Sequence, residues 1–126
     1  MNQGLERSMK TILTGLLIGA VVASPAVAQS PAEYYKGKSI QLLIGFPPGG
    51  GYDANARTLA RHFGRFIPGN PNVVPANMPG AASLVAANHL YNQAAPDGSV
   101  IAICASSVAM EPILGNKAAR FESAKF

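Results

Sequence analysis

The sequence predicts an α/β fold, in which a parallel sheet is built from strands and helices in the order β-α-β-α-β. Two observations lead to this prediction. From residue 38 onwards, short aliphatic runs alternate with segments of helical periodicity, and each connection between runs is long enough for a crossover. Strands joined in this way run parallel with right-handed crossovers. The simplest arrangement places the first strand between the other two, in the order 2-1-3.

The first predicted strand runs from Ser39 to Phe46 (SIQLLIGF). Its aliphatic residues are nearly continuous, which is typical of a strand buried on both faces. Gly37 precedes the run, and Pro47 with the glycines that follow it ends the strand.

The first predicted helix opens at Asp53, which we expect to be its N-cap residue. Apolar residues recur at helical spacing on one face: Ala56, Leu59, Ala60, Phe63 and Ile67. Arg57, Arg61 and Arg65 recur at four-residue steps on another face, which we expect to be solvated, with Arg57 near enough to the helix start to approach a bound anion. Pro68 and Gly69 end the helix.

The second predicted strand covers residues 72–77 (NVVPAN). Pro75 deprives it of one N–H donor for the ladder, so we place this strand at a sheet edge. A second helix is predicted for residues 81–92. Its inner face consists of Leu84, Ala87 and Tyr91.

The third predicted strand covers residues 99–105 and includes the only cysteine, Cys104. The aliphatic neighbours of Cys104 favour a buried strand position over a reactive thiol. Residues 108–114 are predicted to form a short helix or turn, which Gly115 ends.

The first 28 residues have the pattern of a cleavable secretory signal. Arg7 and Lys10 supply positive charge, and residues 11–23 form an apolar stretch too short to span a bilayer comfortably. The small-x-small site Ala26-Val27-Ala28 then predicts cleavage before Gln29. An uncleaved N-terminal anchor is the alternative.

Composition narrows the possible functions. The chain has 126 residues, enough for one domain or part of a larger one, and 48% of them are hydrophobic, which argues against a disordered chain. A single cysteine excludes an intramolecular disulfide and a cysteine-rich zinc site. The net charge of +4 is too small and too scattered to indicate a nucleic-acid-binding protein.

Ligands of open parallel sheets bind beyond the carboxyl ends of the strands. Three predicted loops meet at that edge: residues 47–53, 78–83 and 106–112. In the first, Gly49, Gly50 and Gly51 allow close approach of the backbone, and the following helix adds free N–H groups and the positive end of its dipole. This loop fits a carboxylate or a phosphate. A glycine-rich turn that only connects strand to helix fits the same residues equally well.

Motifs for other chemistries are incomplete. The glycine loop has neither the P-loop pattern nor G-x-G-x-x-G spacing, and Asn77 stands where a dinucleotide-binding fold places an acidic residue. Ser106 and Ser107 lie outside any G-x-S-x-G elbow. His62 and His89 have no cysteine or carboxylate cluster near them in the sequence, so we expect no metal site. Because the nucleotide and serine motifs are incomplete, we expect no cofactor and no catalytic residue.

A series of short motifs runs along the chain in a fixed order. It comprises Tyr35-Lys36-Gly37-Lys38-Ser39-Ile40, Gly45-Phe46-Pro47-Pro48-Gly49-Gly50-Gly51-Tyr52-Asp53, Ala56-Arg57, Asn77-Met78-Pro79-Gly80-Ala81, Pro96-Asp97-Gly98 and Glu111-Pro112-Ile113-Leu114-Gly115-Asn116. Behind a signal peptide, this ordered set resembles the start of the Bug-type receptors, the periplasmic solute-binding proteins of tripartite tricarboxylate transporters. The resemblance covers residues 34–126.

The resemblance implies a two-lobed receptor that closes on a small carboxylated solute. In such receptors the glycine loop helps to hold a ligand carboxylate, a role that maps onto Pro48, Gly49, Gly50, Gly51 and Asp53. We expect Asp53 to cap the helix more than to touch the ligand, because two carboxylates repel each other.

The second and third loops complete the implied site. The second loop often reads Pro-Gly-Ala-Gly-Gly in the family, and here it reads Pro79-Gly80-Ala81-Ala82-Ser83. Gly80 and Ser83 are therefore its candidate ligand contacts, with Ser83 adding a hydroxyl donor. Ser106 and Ser107 of the third loop should face the cleft.

These expectations define the predicted domains and function. Residues 1–28 are a signal peptide, residues 29–37 the mature N-terminal segment, and residues 38–126 an incomplete part of lobe 1 of a two-lobed periplasmic binding protein fold. We expect a periplasmic substrate-binding component, not an enzyme, whose partners are a small organic acid and the membrane subunits of a transporter. The alternatives are an exported α/β enzyme, such as a hydrolase using Ser106 or Ser107, and a remnant without function.

Overall fold

The computed structural model describes residues 29–126, so the predicted signal sequence lies outside the described residues. The helices and strands in this range are α1 (Pro31–Tyr35), β1 (Ser39–Ile44), α2 (Gly51–Phe63), β2 (Asn72–Asn77), α3 (Leu84–Asn92) and β3 (Val100–Ile103). Short 3₁₀ turns lie at Gly64–Phe66, Ala81–Ser83, Val108–Met110 and Ser123–Lys125. No helix within residues 29–126 is long and apolar enough to cross a membrane.

The three strands form a parallel sheet in the order β2-β1-β3, which confirms the predicted α/β fold and strand order. The register pairs Ile44 at the end of β1 with Asn77 of β2 and with Ile103 of β3. All three strands therefore end at the same level of the sheet. Ligand-binding loops of parallel sheets leave from this edge.

β2 lies at a sheet edge, as its proline predicts. The Asn72 amide donates to the Lys38 carbonyl just before β1 at 3.2 Å, and the Met78 amide donates to the Ile44 carbonyl at the end of β1 at 2.8 Å. Since main-chain groups alternate sides along a strand, Pro75 lies at a position whose main-chain groups face away from β1. The proline therefore removes no hydrogen bond from the ladder, which corrects the expectation that it costs one donor.

One face of the sheet packs against α2. Ile40, Leu42 and Ile44 of β1 form a cluster with Ala56 and Ala60 of α2 and with Val73 of β2. The predicted buried face of this helix is thus confirmed at its two alanines. The prediction for Leu59 is wrong, because this side chain lies at the margin of the narrow alanine stripe and is 41% exposed.

The other face of the sheet carries α3. Leu84 and Ala87 are buried with Phe121, and Tyr91 packs against them, so the predicted inner face is confirmed. Cys104 belongs to the same cluster but lies just after β3, which is shorter than predicted. The thiol is half-buried, and this burial raises its pKa above the ordinary value.

Apolar periodicity does not predict the short helix α1. Ser30 and Glu33 form a reciprocal capping box at its start, in which each backbone N–H donates to the other residue's side chain at 3.2 Å. The Tyr35 hydroxyl donates to the Gly98 carbonyl at 3.2 Å and links α1 to the turn before β3. In that turn, Asp97 accepts from the Ser99 hydroxyl and amide, which lowers its pKa to about 2.

Candidate ligand-binding site at the carboxyl ends of the strands

The three predicted site loops leave the sheet side by side. The Met78 amide donates to the Ile44 carbonyl at 2.8 Å, and the Gly45 amide donates to the Ile103 carbonyl at 2.9 Å. These bonds continue the ladder just beyond the strands and hold the start of each loop next to β1. The loop after β1 is therefore central, with one neighbouring loop on each side.

The glycine loop after β1 is open on its outer side. Pro48, Gly49, Gly50 and Gly51 are all exposed. Gly49 has φ +87°, a conformation that favours glycine. A Cβ added at Gly49 or Gly51 would meet no atom within 4 Å. The space in front of this backbone is thus available to a ligand.

The helix that follows begins earlier than predicted. α2 starts at Gly51, with Gly50 as its N-cap, so the expectation that Asp53 is the N-cap is wrong. Asp53 is the third helical residue, and its carboxylate reaches back to accept the Gly49 amide at 2.9 Å. The physical reason is that the glycine loop turns tightly enough to enter the helix directly. Asp53 still serves the helix start, because it satisfies one amide of the loop.

Asp53 is 5% exposed and is held as a charged group. The Arg57 guanidinium Nε lies 3.0 Å from Oδ1 and 3.1 Å from Oδ2 of this carboxylate. That contact, followed by the bonds from the Gly49 amide and the Asn77 side chain, lowers the pKa of Asp53 far below its ordinary value. The negative charge of the buried carboxylate is therefore compensated by one arginine and two N–H donors.

Asn77 at the end of β2 completes this network. Its Nδ2 donates to Asp53 Oδ1 at 2.8 Å and to the Phe46 carbonyl at 3.0 Å. Its Oδ1 accepts from Arg57 Nη2 at 2.6 Å. One amide side chain thus joins the loop after β1, the helix α2 and the end of β2.

Sequence reasoning missed this role of Asn77. The available signal was the strand register, which brings the last residue of β2 beside the glycine loop. Arg57, considered as a possible contact for an anion, instead has its guanidinium occupied by Asp53 and Asn77, and its side chain is 41% exposed.

The groups that remain open in the first loop are backbone amides. Within the described part of the chain, the amides of Gly51 and Tyr52 have no acceptor, as expected for the first turn of a helix. The Tyr52 ring stacks on Phe46, with ring centroids 3.9 Å apart, and remains 42% exposed. The loop therefore offers N–H donors and the positive end of α2 next to a flat aromatic surface.

The second loop has an unusual backbone. Gly80 has φ +145°, and the next three residues, Ala81, Ala82 and Ser83, have φ of +44°, +50° and +77°. Non-glycine residues rarely adopt this left-handed region. Ala82 and Ser83 are the two positions at which the resemblance described under the sequence analysis implies glycine.

The side chain of Ser83 is fully buried. Its Oγ donates to the Gly45 carbonyl at 3.2 Å and accepts from the Ala105 amide at 3.0 Å. These bonds tie the second loop to the loops after β1 and β3. The structure therefore places the Ser83 hydroxyl against the backbone of the other two loops, whereas Gly80 is partly exposed.

The third loop carries Ser106 and Ser107 in an exposed turn directly after the end of β3. No hydrogen bond joins either hydroxyl to a histidine among residues 29–126; His89 Nδ1 instead contacts Gln93 Oε1 at 3.1 Å. In the same range no cluster of three or more histidine, cysteine, aspartate or glutamate side chains could hold a metal ion.

Comparison with known proteins identifies one relative. The chain is similar to Protein BugT of Bordetella pertussis (strain Tohama I), with 35% identity over 92 residues. The match covers 72% of this chain and 27% of the relative, so the chain spans about a quarter of the length of that protein. No protein-family model and no solved structure matches the chain. The BugT match confirms what the ordered motifs predict: over this segment the chain is a Bug-type sequence.

Proposed function

We propose that this chain contributes one wall of a periplasmic solute-binding receptor that serves a transporter of the tripartite tricarboxylate type. The ligand is a small carboxylated solute. The observation that carries this proposal is the exposed glycine loop with unpaired amides at the start of α2. The relationship to BugT supports a binding role in the periplasm.

The charge arrangement supports an anionic ligand. A free carboxylate beside the loop would repel a second carboxylate, but the Asp53 charge is compensated by Arg57. The positive end of α2 and the amides of Gly51 and Tyr52 then provide the local field. Hydrogen bonds from such amides to a charged carboxylate are shorter and stronger than bonds between neutral groups.

Binding by this segment alone is expected to be weak. A two-lobed receptor closes around its solute, and the closed state is favoured by contacts that each lobe contributes. The single loop provides only part of those contacts. We therefore expect longer Bug-type relatives to bind di- and tricarboxylates tightly, and residues 29–126 to bind them too weakly for a calorimetric titration but measurably by chemical shift.

A matched pair of variants at Gly51 tests the site. Residue 51 is exposed, has open space where a Cβ would lie and does not need a positive φ, so Gly51→Asp and Gly51→Asn should both fold. The two substitutions are nearly the same size, but only aspartate adds a negative charge beside the amides. Amide chemical shifts of the full chain, titrated with succinate and citrate, detect binding even in the millimolar range.

The expected result is a shift of the amides of residues 49–52 in the unsubstituted chain. Gly51→Asp should lower the affinity measured from these shifts by about tenfold relative to Gly51→Asn. The reason is that like charges a few ångströms apart near a surface repel by about 1 kcal/mol or more. Equal responses of the two variants, or shifts confined to other loops, would contradict the proposed site.

A further inference from the structure

A second charged surface lies away from the glycine loop, on the outer side of α2. Arg61 of α2 and Arg65 of the following 3₁₀ turn are both exposed. Arg57, Arg61 and Arg65 follow one another at four-residue steps and are called the basic ridge below. Arg57 reaches Asn77 at the end of β2, and Arg57 and Arg61 both border β2 residues.

Within the described residues, no acidic side chain forms an ion pair with Arg61 or Arg65, the exposed arginines of this ridge. The ion pairs there join Arg57 to Asp53 and Lys125 to Glu122, and neither involves Arg61 or Arg65. Arg61 donates only to the Thr58 hydroxyl at 3.0 Å, and Arg65 lies 4.8 Å from the centre of the Phe66 ring, which is 71% exposed. Both positive charges and the Phe66 ring are thus exposed.

A groove separates the ridge from the edge of β2. It has a volume of about 330 Å³. Its lining residues are Arg57, Ala60, Arg61, Asn72, Val73 and Pro75. Because the amides of Asn72 and Met78 face β1, the main-chain N–H and C=O groups of Val73 and the C=O group of Pro75 face outward. The groove therefore combines positive charge with unpaired main-chain groups.

We propose that this groove docks an extended acidic segment of a partner protein. Carboxylates of the segment pair with Arg61 and Arg65, and its backbone bonds to the outward groups of Val73. Pro75 lacks an N–H group and limits the added strand to a short stretch. The charge complementarity argues for an acidic occupant.

The opposing interpretation is that the same features protect the edge. Charged side chains and prolines are common devices against unwanted strand pairing. In that case the surface should bind no acidic peptide at ordinary salt concentration.

The test uses the full chain and a short acetylated peptide in which Glu alternates with Val, with the corresponding Gln–Val peptide as a control. We expect the Glu–Val peptide to bind, with its shifts centred on the Val73 amide and on the side chains of Arg61 and Arg65, and the Gln–Val peptide to bind much more weakly. Arg61→Glu and Arg65→Glu should each weaken binding by about two- to fivefold, from the value of an exposed ion pair. Arg120→Glu, which changes an exposed arginine on the other side of the sheet, should have little effect.

Absence of binding, equal affinity of the two peptides, or equal effects of Arg61→Glu and Arg120→Glu would overturn the proposal. Shifts at residues 49–52 instead of Val73 would also overturn it, because they would place the acidic peptide in the glycine loop. The outcome is independent of the solute-binding proposal, since neither Arg61 nor Arg65 contacts that loop.

Discussion

The left-handed second loop leads to a prediction whose sign is unusual: replacing Ala82 by glycine should stabilise the protein. Ala82 has φ +50° and ψ +45°, and its side chain is exposed. An L-residue in this conformation costs about 1–2 kcal/mol. Glycine removes that cost but loses about 0.4–1 kcal/mol through the larger entropy of the unfolded chain. The expected net gain is about 0.5–1 kcal/mol.

Urea unfolding followed by circular dichroism measures this gain as a higher midpoint at an unchanged slope. Ala54→Gly is the matched control, because Ala54 is also exposed but lies within α2. That substitution should destabilise the protein by about 1 kcal/mol, since glycine has a poor helix propensity. If Ala82→Gly lowered stability as Ala54→Gly does, residue 82 would not have the left-handed conformation, and the geometry of the second loop given above would be wrong.

Three further predictions concern the contacts that hold the loops together. Ser83→Ala should destabilise the protein by about 1–3 kcal/mol in urea unfolding, because the Gly45 carbonyl and the Ala105 amide lose their partner; no change would mean that the Ser83 hydroxyl is not buried between them. Gly45→Ala places a Cβ 2.5 Å from Ser83 Oγ and should cost about 1–3 kcal/mol. Part of that cost should return in the Gly45→Ala/Ser83→Gly double variant, and strict additivity would argue against the contact. Folded Asp53 has a pKa below its ordinary 3.8, so the stability it contributes is present above pH 3.8 and is lost as the pH falls below that value. Asp53→Asn should therefore reduce the loss of unfolding free energy at low pH. An unchanged loss would show that the network around Asp53 does not cause it.

The order of the strands could be predicted because it depends on local patterns. Three aliphatic runs with helical segments between them leave few parallel arrangements, and Pro75 marks an edge. The first residue of a helix was harder to predict. Both Asp53 and a glycine are favourable cap residues, and only the tight turn at Gly49 decides that α2 begins at Gly51.

The helix α1 has a local signal that periodicity does not detect. The pattern Ser30-Pro31-Ala32-Glu33 is a capping box with proline at the first helical position, a recognised start of a helix. Because α1 has only five residues and no apolar periodicity, this capping pattern is the only feature of the sequence that predicts it.

The side-chain network of the site depends on tertiary structure and could not be predicted from local patterns. Asn77 and Asp53 are 24 positions apart in the chain, and their contact depends on the register of β1 with β2 and on the placement of α2. The burial of Ser83 likewise requires the packing of three loops. Neither contact produces a periodic pattern in the sequence. The sequence therefore predicts the strand end or loop in which each residue lies, but not the groups that its side chain contacts.

The central claim about this protein is that the amides around Gly51 hold a carboxylate. The most direct measurement is the chemical-shift titration of the Gly51→Asp and Gly51→Asn chains with succinate and citrate. We expect responses at residues 49–52 that are about tenfold weaker with aspartate than with asparagine at position 51. Identical titrations of the two variants, or responses that avoid this loop altogether, would contradict the claim.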